Sequence, residues 1–89
     1  MNTRQIDYCI ELSRTLNFRK AANNVGISQP TFSYQIKLLE DELGFIIFER
    51  TGKGAILTQS GVHFISYISK MREDLYSTIE QCQKINCKQ

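Results

Sequence analysis

The stretch Arg19 to Gly44, RKAANNVGISQPTFSYQIKLLEDELG, leaves the chain few ways to fold. Gly26 can take the left-handed conformation that ends a helix without strain, and Ser28 offers a side-chain oxygen to cap the next one. Pro30 falls in the first turn after that cap, where a missing N–H has no intrahelical partner to lose. Phe32, Ile36, Leu39 and Leu43 then recur at i, i+4, i+7 and i+11, an apolar stripe along one helix. Ahead of the turn, Ala21, Ala22 and Val25 face inward, and the two alanines let the second helix approach closely. The stretch therefore reads as a short helix from Phe18 to about Val25, a tight turn at Gly26-Ile27-Ser28, and a longer helix over 28–43 that Gly44 stops.

The leading end of the longer helix is crowded with neutral hydrogen-bonding groups: Gln29, Thr31, Ser33 and Tyr34, with Pro30 among them. Such an end suits reading base edges in a DNA major groove. Gln29 can pair with adenine in bidentate fashion, worth ~1–3 kcal/mol of discrimination. Thr31 offers a methyl to thymine or a hydroxyl to a phosphate, and Ser33 either back-bonds within its helix or meets a phosphate. Glu40, Asp41 and Glu42 crowd the far end, where they oppose the helix dipole and repel phosphate, so the N-terminal end must be the one facing nucleic acid. Asn17 reads as the cap of the shorter helix, placing Arg19 and Lys20 in a first turn that disfavours cations. They are either two solvated charges or, with the free N–H groups of that helix end, a phosphate site.

The flanks add packing and a clamp. Thr3 to Leu16 carries Ile6, Cys9, Ile10, Leu12 and Leu16 near helical spacing, with Arg4, Asp7, Glu11 and Arg14 opposite, so a first helix serves the core and Cys9 is a buried small hydrophobe. From Phe45 to Leu57 the runs FIIFER and AILT have strand composition, joined by Thr51-Gly52-Lys53-Gly54. The segment 45–57 is either a plain surface hairpin or a wing whose Arg50 and Lys53 lie on a DNA backbone or minor groove. Thr58 caps a last helix to about Ile85, roughly 40 Å long. Its stripe of Phe64, Ile65, Ile68, Met71, Leu75, Ile79 and Cys82 exceeds what a small body can cover, which points to a helix–helix dimer seam that Arg72 interrupts. The tail after Ile85 carries no structural signal.

Composition narrows the function without deciding it. Against 11 Lys and Arg stand 9 Asp and Glu, and the net charge of +2 permits nucleic-acid binding without arguing for it. Distribution decides instead: Arg19, Lys20, Lys37, Arg50 and Lys53 supply sequence-independent attachment and imply strong salt dependence. No signal-peptide pattern opens the chain, no apolar run reaches the ~20 residues of a membrane span, and three cysteines form no disulfide framework, so cytoplasm is the expected compartment. A single histidine, His63, without a catalytic arrangement, and Gly52 and Gly54 without phosphate-loop spacing argue against an enzyme. Cys82 and Cys87 lack the partners of a metal site, and no cofactor is expected. The rival class is a helical dimerisation or protein-interaction module that the long apolar helix alone would justify.

The pattern SQPxxSxQIxxLExxLG, followed by FxR and LTxxG, resembles the N-terminal DNA-binding domain of LysR-type transcriptional regulators. The matching positions run from Ala21-Ala22 and Val25 through Ser28-Gln29-Pro30, Ser33, Gln35-Ile36, Leu39-Glu40, Leu43-Gly44, Phe48 and Arg50 to Leu57-Thr58 and Gly61. The resemblance implies a mainly α fold: a winged helix-turn-helix of three helices plus a β-hairpin wing over 1–58, then a long dimerisation linker helix over 59–89. It implies a homodimer on double-stranded DNA with a partly palindromic site in a bacterial cytoplasm, at the nucleoid. It also implies a small-molecule inducer bound by a further C-terminal domain; this chain stops before one, and truncation is the expectation. Carried over by position, Gln29, Pro30, Thr31 and Tyr34 would reach bases or the sugar edge. Asn17, Ser33 and Lys37 would hold phosphates, with Arg19, Lys20, Ser28 and Arg50 beside them and Lys53 on the wing. Tyr34 departs from the arginine many relatives carry, which replaces a guanine fork with stacking or a thymine-methyl contact. Arg19 stands where the family often has threonine, shifting a neutral phosphate contact toward an ionic one.

Overall fold

Each helix begins at a side chain able to hold an orphan N–H. In the computed structural model, which describes residues 1–87, Asn2 opens α1 (Thr3–Thr15): its Oδ1 accepts from the Gln5 N–H at 2.8 Å, and Gln5 Oε1 accepts in return from the Asn2 N–H at 3.3 Å. Asn17 opens α2 (Phe18–Val25), its Oδ1 accepting from the Lys20 N–H at 2.9 Å. Ser28 opens α3 (Gln29–Leu43), and Pro30 sits in that first turn. Gly26 and Gly44 close α2 and α3 in the left-handed conformation, at φ of 78° and 83°. The helix-turn-helix boundaries fall where the local sequence places them.

The hairpin is shorter than its composition suggests. Strand β1 (Phe48–Thr51) pairs antiparallel with β2 (Gly54–Leu57), Phe48 opposite Leu57 and Thr51 opposite Gly54, which leaves Gly52-Lys53 as the loop. Phe45 to Ile47 are not strand, although FII has strand composition. The Glu40 carboxylate takes the N–H groups of Ile47 and Phe48, at 2.7 and 3.1 Å, and folds that segment back under α3 instead. Glu40 is thus a buried-side anchor rather than a free member of an acidic cluster. Its neighbours are engaged too: Asp41 pairs with Lys37 at 3.8 Å, and Glu42 meets the N-terminal ammonium. Phosphate repulsion from that helix end is therefore weaker than three free carboxylates would give.

Helix α4 (Gln59–Cys87) starts where Thr58 Oγ1 accepts from the Gly61 N–H at 2.9 Å and donates to the Ile46 carbonyl at 2.6 Å. A side chain at Gly61 would collide with the Ile47 carbonyl oxygen, which gives the LTxxG spacing its physical reason. The helix continues past Ile85 to Cys87; residues 88 and 89 lie outside the described residues.

The core gathers α1, α2, α3, the base of the wing and the first half of α4 around Phe32. Tyr8 tilts against that ring at 5.4 Å between centroids and Phe18 meets it edge-on at 6.2 Å. Cys9 is fully buried, and burial first, then the nearby Glu40 carboxylate, push its thiol up to about 12. Leu16 does not join this core: it closes α1 in the left-handed conformation, with φ of 52°, and its carbonyl accepts from the Ala55 N–H at 2.9 Å. That bond ties the wing to the corner between α1 and α2.

The first half of the long helix is covered by its own chain. Ile68 is 1 % exposed within its own chain, and Phe64, Ile65 and Met71 are half-buried against the same core. Of the expected seam only Leu75, Ile79 and Cys82 stand exposed, so Ile68 has no surface left to give a partner. A stripe of apolar positions states which face is covered, not what covers it. Arg72, the polar break in the stripe, donates to Asp7 Oδ1 at 3.1 Å and pins α4 to α1. Packing therefore crosses residue 58 without a break and ends near Arg72.

Candidate nucleic-acid interface

The first turn of α3 projects from the body beside the wing. Gln29, Pro30, Thr31 and Tyr34 are all exposed, Tyr34 to 59 %. Phe32 and Ile36, on the opposite side of the same turns, are buried, so the stripe that holds the helix also aims its polar face outward. Ser28 Oγ accepts from the Thr31 N–H and donates to Thr31 Oγ1 at 2.9 Å, which leaves the Thr31 hydroxyl hydrogen free to donate. Gln35 points sideways, its Oε1 accepting from the buried Gln5 amide at 3.1 Å; this bridge fixes α3 against α1.

Two clefts of about 350 Å³ each flank that turn. Asn17, Arg19, Gln29, Arg50 and Lys53 converge on the first, between the start of α2, the start of α3 and the wing loop. Pro30, Ser33, Tyr34 and Lys37 line the second with Arg50, between α3 and the base of β1. Arg50 borders both. Lys20, Ser28 and Thr31 are exposed but line neither. At the start of α2 the Asn17 cap takes the Lys20 N–H and the Asn17 carbonyl takes that of Ala21, so an anion there would find the Phe18 and Arg19 N–H groups and the Arg19 side chain.

Arg50 is held in a way its position in a strand did not announce. Its guanidinium carbon lies 3.8 Å from the centroid of the Phe18 ring. The other cations are less constrained: Lys37 has only its exposed pairing with Asp41, and Lys53 rides the two-residue loop. Among the described residues no group of three or more His, Cys, Asp or Glu could hold a metal ion, and His63 stands exposed on α4, away from both clefts.

A recognition helix presented beside a two-stranded wing, with a long trailing helix, defines a winged helix-turn-helix domain. A family profile described as the bacterial regulatory helix-turn-helix protein, lysR family, matches residues 3–62, and the chain belongs to that family. A hydrogen peroxide-inducible genes activator of Haemophilus influenzae is 50 % identical over 62 residues, covering 70 % of this chain and 21 % of that protein. The chain thus spans about a fifth of the length of such relatives. Among solved structures, the BenM DNA-binding domain with catB site 1 DNA superposes with a TM-score of 0.91 at 30 % identity, over 96 % of each chain. The CbnR DNA-binding domain in its DNA complex gives 0.90 at 28 % identity, over 96 % of this chain and 98 % of that one.

Proposed function

We propose that this chain is the DNA-reading and pairing part of a LysR-family transcription regulator, with α3 in the major groove and the wing on the backbone or minor groove. The observation that carries the reading is the convergence of Asn17, Arg19, Gln29, Arg50 and Lys53 on one cleft at the exposed start of α3. Gln29 and Tyr34 read bases with Pro30 and Thr31, while Asn17, Arg19, Lys20, Ser28, Ser33, Lys37, Arg50 and Lys53 serve phosphates. A bare pairing module has no use for an exposed polar helix end next to a basic loop. Residues 1–58 supply the reader. Leu75, Ile79 and Cys82 of α4 supply a seam to a second copy, which sets two readers on a partly palindromic duplex.

In the longer protein an inducer-binding domain follows α4, and the whole acts in the bacterial cytoplasm, where three free cysteines stay reduced. No helix among the described residues is long and apolar enough to cross a membrane.

Fluorescence anisotropy with a duplex selected from a random pool tests the division of labour. Gln29→Ala should weaken binding to the selected duplex by about 1–3 kcal/mol and barely change binding to random duplex. Lys53→Ala should weaken both alike and lower the salt slope by about 1. Equal loss on all sequences for Gln29→Ala would remove its base-reading role.

A further inference from the structure

Arg50 differs from every other cation near α3 in being fixed from both sides. Its backbone sits in the ladder opposite Ala55, and the Ala55 N–H is bonded to the Leu16 carbonyl at the α1–α2 corner. Its guanidinium lies over the Phe18 ring, and that ring is itself locked, 7 % exposed and edge-on to Phe32 at an interplanar angle of 84°. Among the described residues no carboxylate stands within 4.0 Å of the Arg50 nitrogens. The guanidinium carbon therefore lies over an aromatic ring, and among the described residues no carboxylate competes for its N–H groups.

We propose that Phe18 is a positioning residue for DNA binding: its ring holds the Arg50 guanidinium flat, edges outward, between the recognition helix and the wing, ready to take a phosphate. The proposal rests on the DNA-reading function above and names the group that prepares one of its contacts. Arginine suits the role because its plane can stack on a ring while its edge N–H groups form a fork toward phosphate oxygens. The long side chain also loses less freedom on binding when the ring has already chosen its orientation. Both clefts open onto Arg50, so one prepared guanidinium links the α2 end of the interface to the Tyr34 side. The Phe18 ring makes no DNA contact of its own in this scheme, being buried at the first position of α2 and acting through Arg50.

A double-mutant cycle on duplex binding tests this, with Phe18→Leu, Arg50→Ala and the pair together, each confirmed folded by circular dichroism. Phe18→Leu should cost about three- to fivefold in affinity, the range expected of a stacked cation. In the Arg50→Ala background the same change should cost nothing further, because no guanidinium remains to be held. Phe18→Leu should leave the salt slope nearly unchanged, whereas Arg50→Ala should lower it.

A measurement without any substitution at Phe18 accompanies the cycle: the Arg50 Cδ and Nε protons should be shifted upfield by the ring in the free protein. Equal losses from Phe18→Leu with and without Arg50 would show a merely structural ring and overturn the proposal, as would Arg50 protons at ordinary shifts. A native chain that binds no duplex even at low salt would instead overturn the DNA-reading function and this role with it.

Discussion

The two halves of α4 share one sequence pattern and have different surroundings. Up to Met71 the apolar positions are drawn into the body: Ile68 is fully buried, and Phe64, Ile65 and Met71 pack around it. Beyond Arg72 the same spacing continues through Leu75, Ile79 and Cys82, now exposed, with Leu75 and Ile79 each 43 % accessible and Tyr76 beside them. The molecule extends 54 Å along its longest axis against 26 and 20 Å across, and a 29-residue helix accounts for about 43 Å of such a length. The difference teaches that a stripe on a long helix can change customers along its length. The first half completes a core, and the second half leaves its apolar stripe exposed.

The largest expected effect separates these halves directly. Ile68→Ala should destabilise the fold by about 2–5 kcal/mol, the cost of an emptied core site, read as a lower urea midpoint. Leu75→Asp should leave the unfolding free energy of the monomer within about 0.5 kcal/mol, since the side chain is already half in water. The same change should weaken self-association by at least about tenfold, since it sets a carboxylate against the seam. Sedimentation equilibrium measures the second quantity. Should Leu75→Asp unfold the protein, or leave the dimer untouched, the two halves would not be divided as described.

How much of this was legible depends on how local the information is. Caps and helix ends were legible, because Asn17, Gly26, Ser28 and Gly44 act within three residues of themselves. The stripe of Phe32, Ile36 and Leu39 was legible for the same reason, and it fixed which face of α3 is exposed. The site residues were legible as types but not as partners. By spacing Glu40 is one of three repelling acids, and its bonds to Ile47 and Phe48 depend on a turn that spacing does not describe. Arg50 read as a wing cation, and nothing in its spacing announced a ring contributed by a residue 32 positions earlier. The burial of Tyr8 and Gln5 was not legible, because a polar or mixed side chain on a helix goes inside only where a distant partner such as Gln35 or Phe32 receives it. The burial of Ile68 within its own chain is not legible from spacing, because periodicity carries no information about which of two surfaces lies opposite.

The smallest expected effect lies at the junction between the halves. Arg72 is 22 % exposed and Asp7 41 %, so their ion pair works partly in water and is worth at most about 1 kcal/mol. Arg72→Gln keeps the helix preference of the position while removing the charge and the reach of the guanidinium. Its unfolding midpoint should therefore fall only slightly. The loss should disappear when Asp7 is already asparagine, as a double-mutant cycle on urea unfolding would read. The dimer constant should not move, because the pair joins α4 to its own body and leaves Leu75 and Ile79 where they are. A loss comparable to that of Ile68→Ala would place Arg72 inside the core's cooperative unit. A changed dimer constant would mean that the angle at which α4 leaves the body governs the seam, and that the two halves of the helix act as one lever.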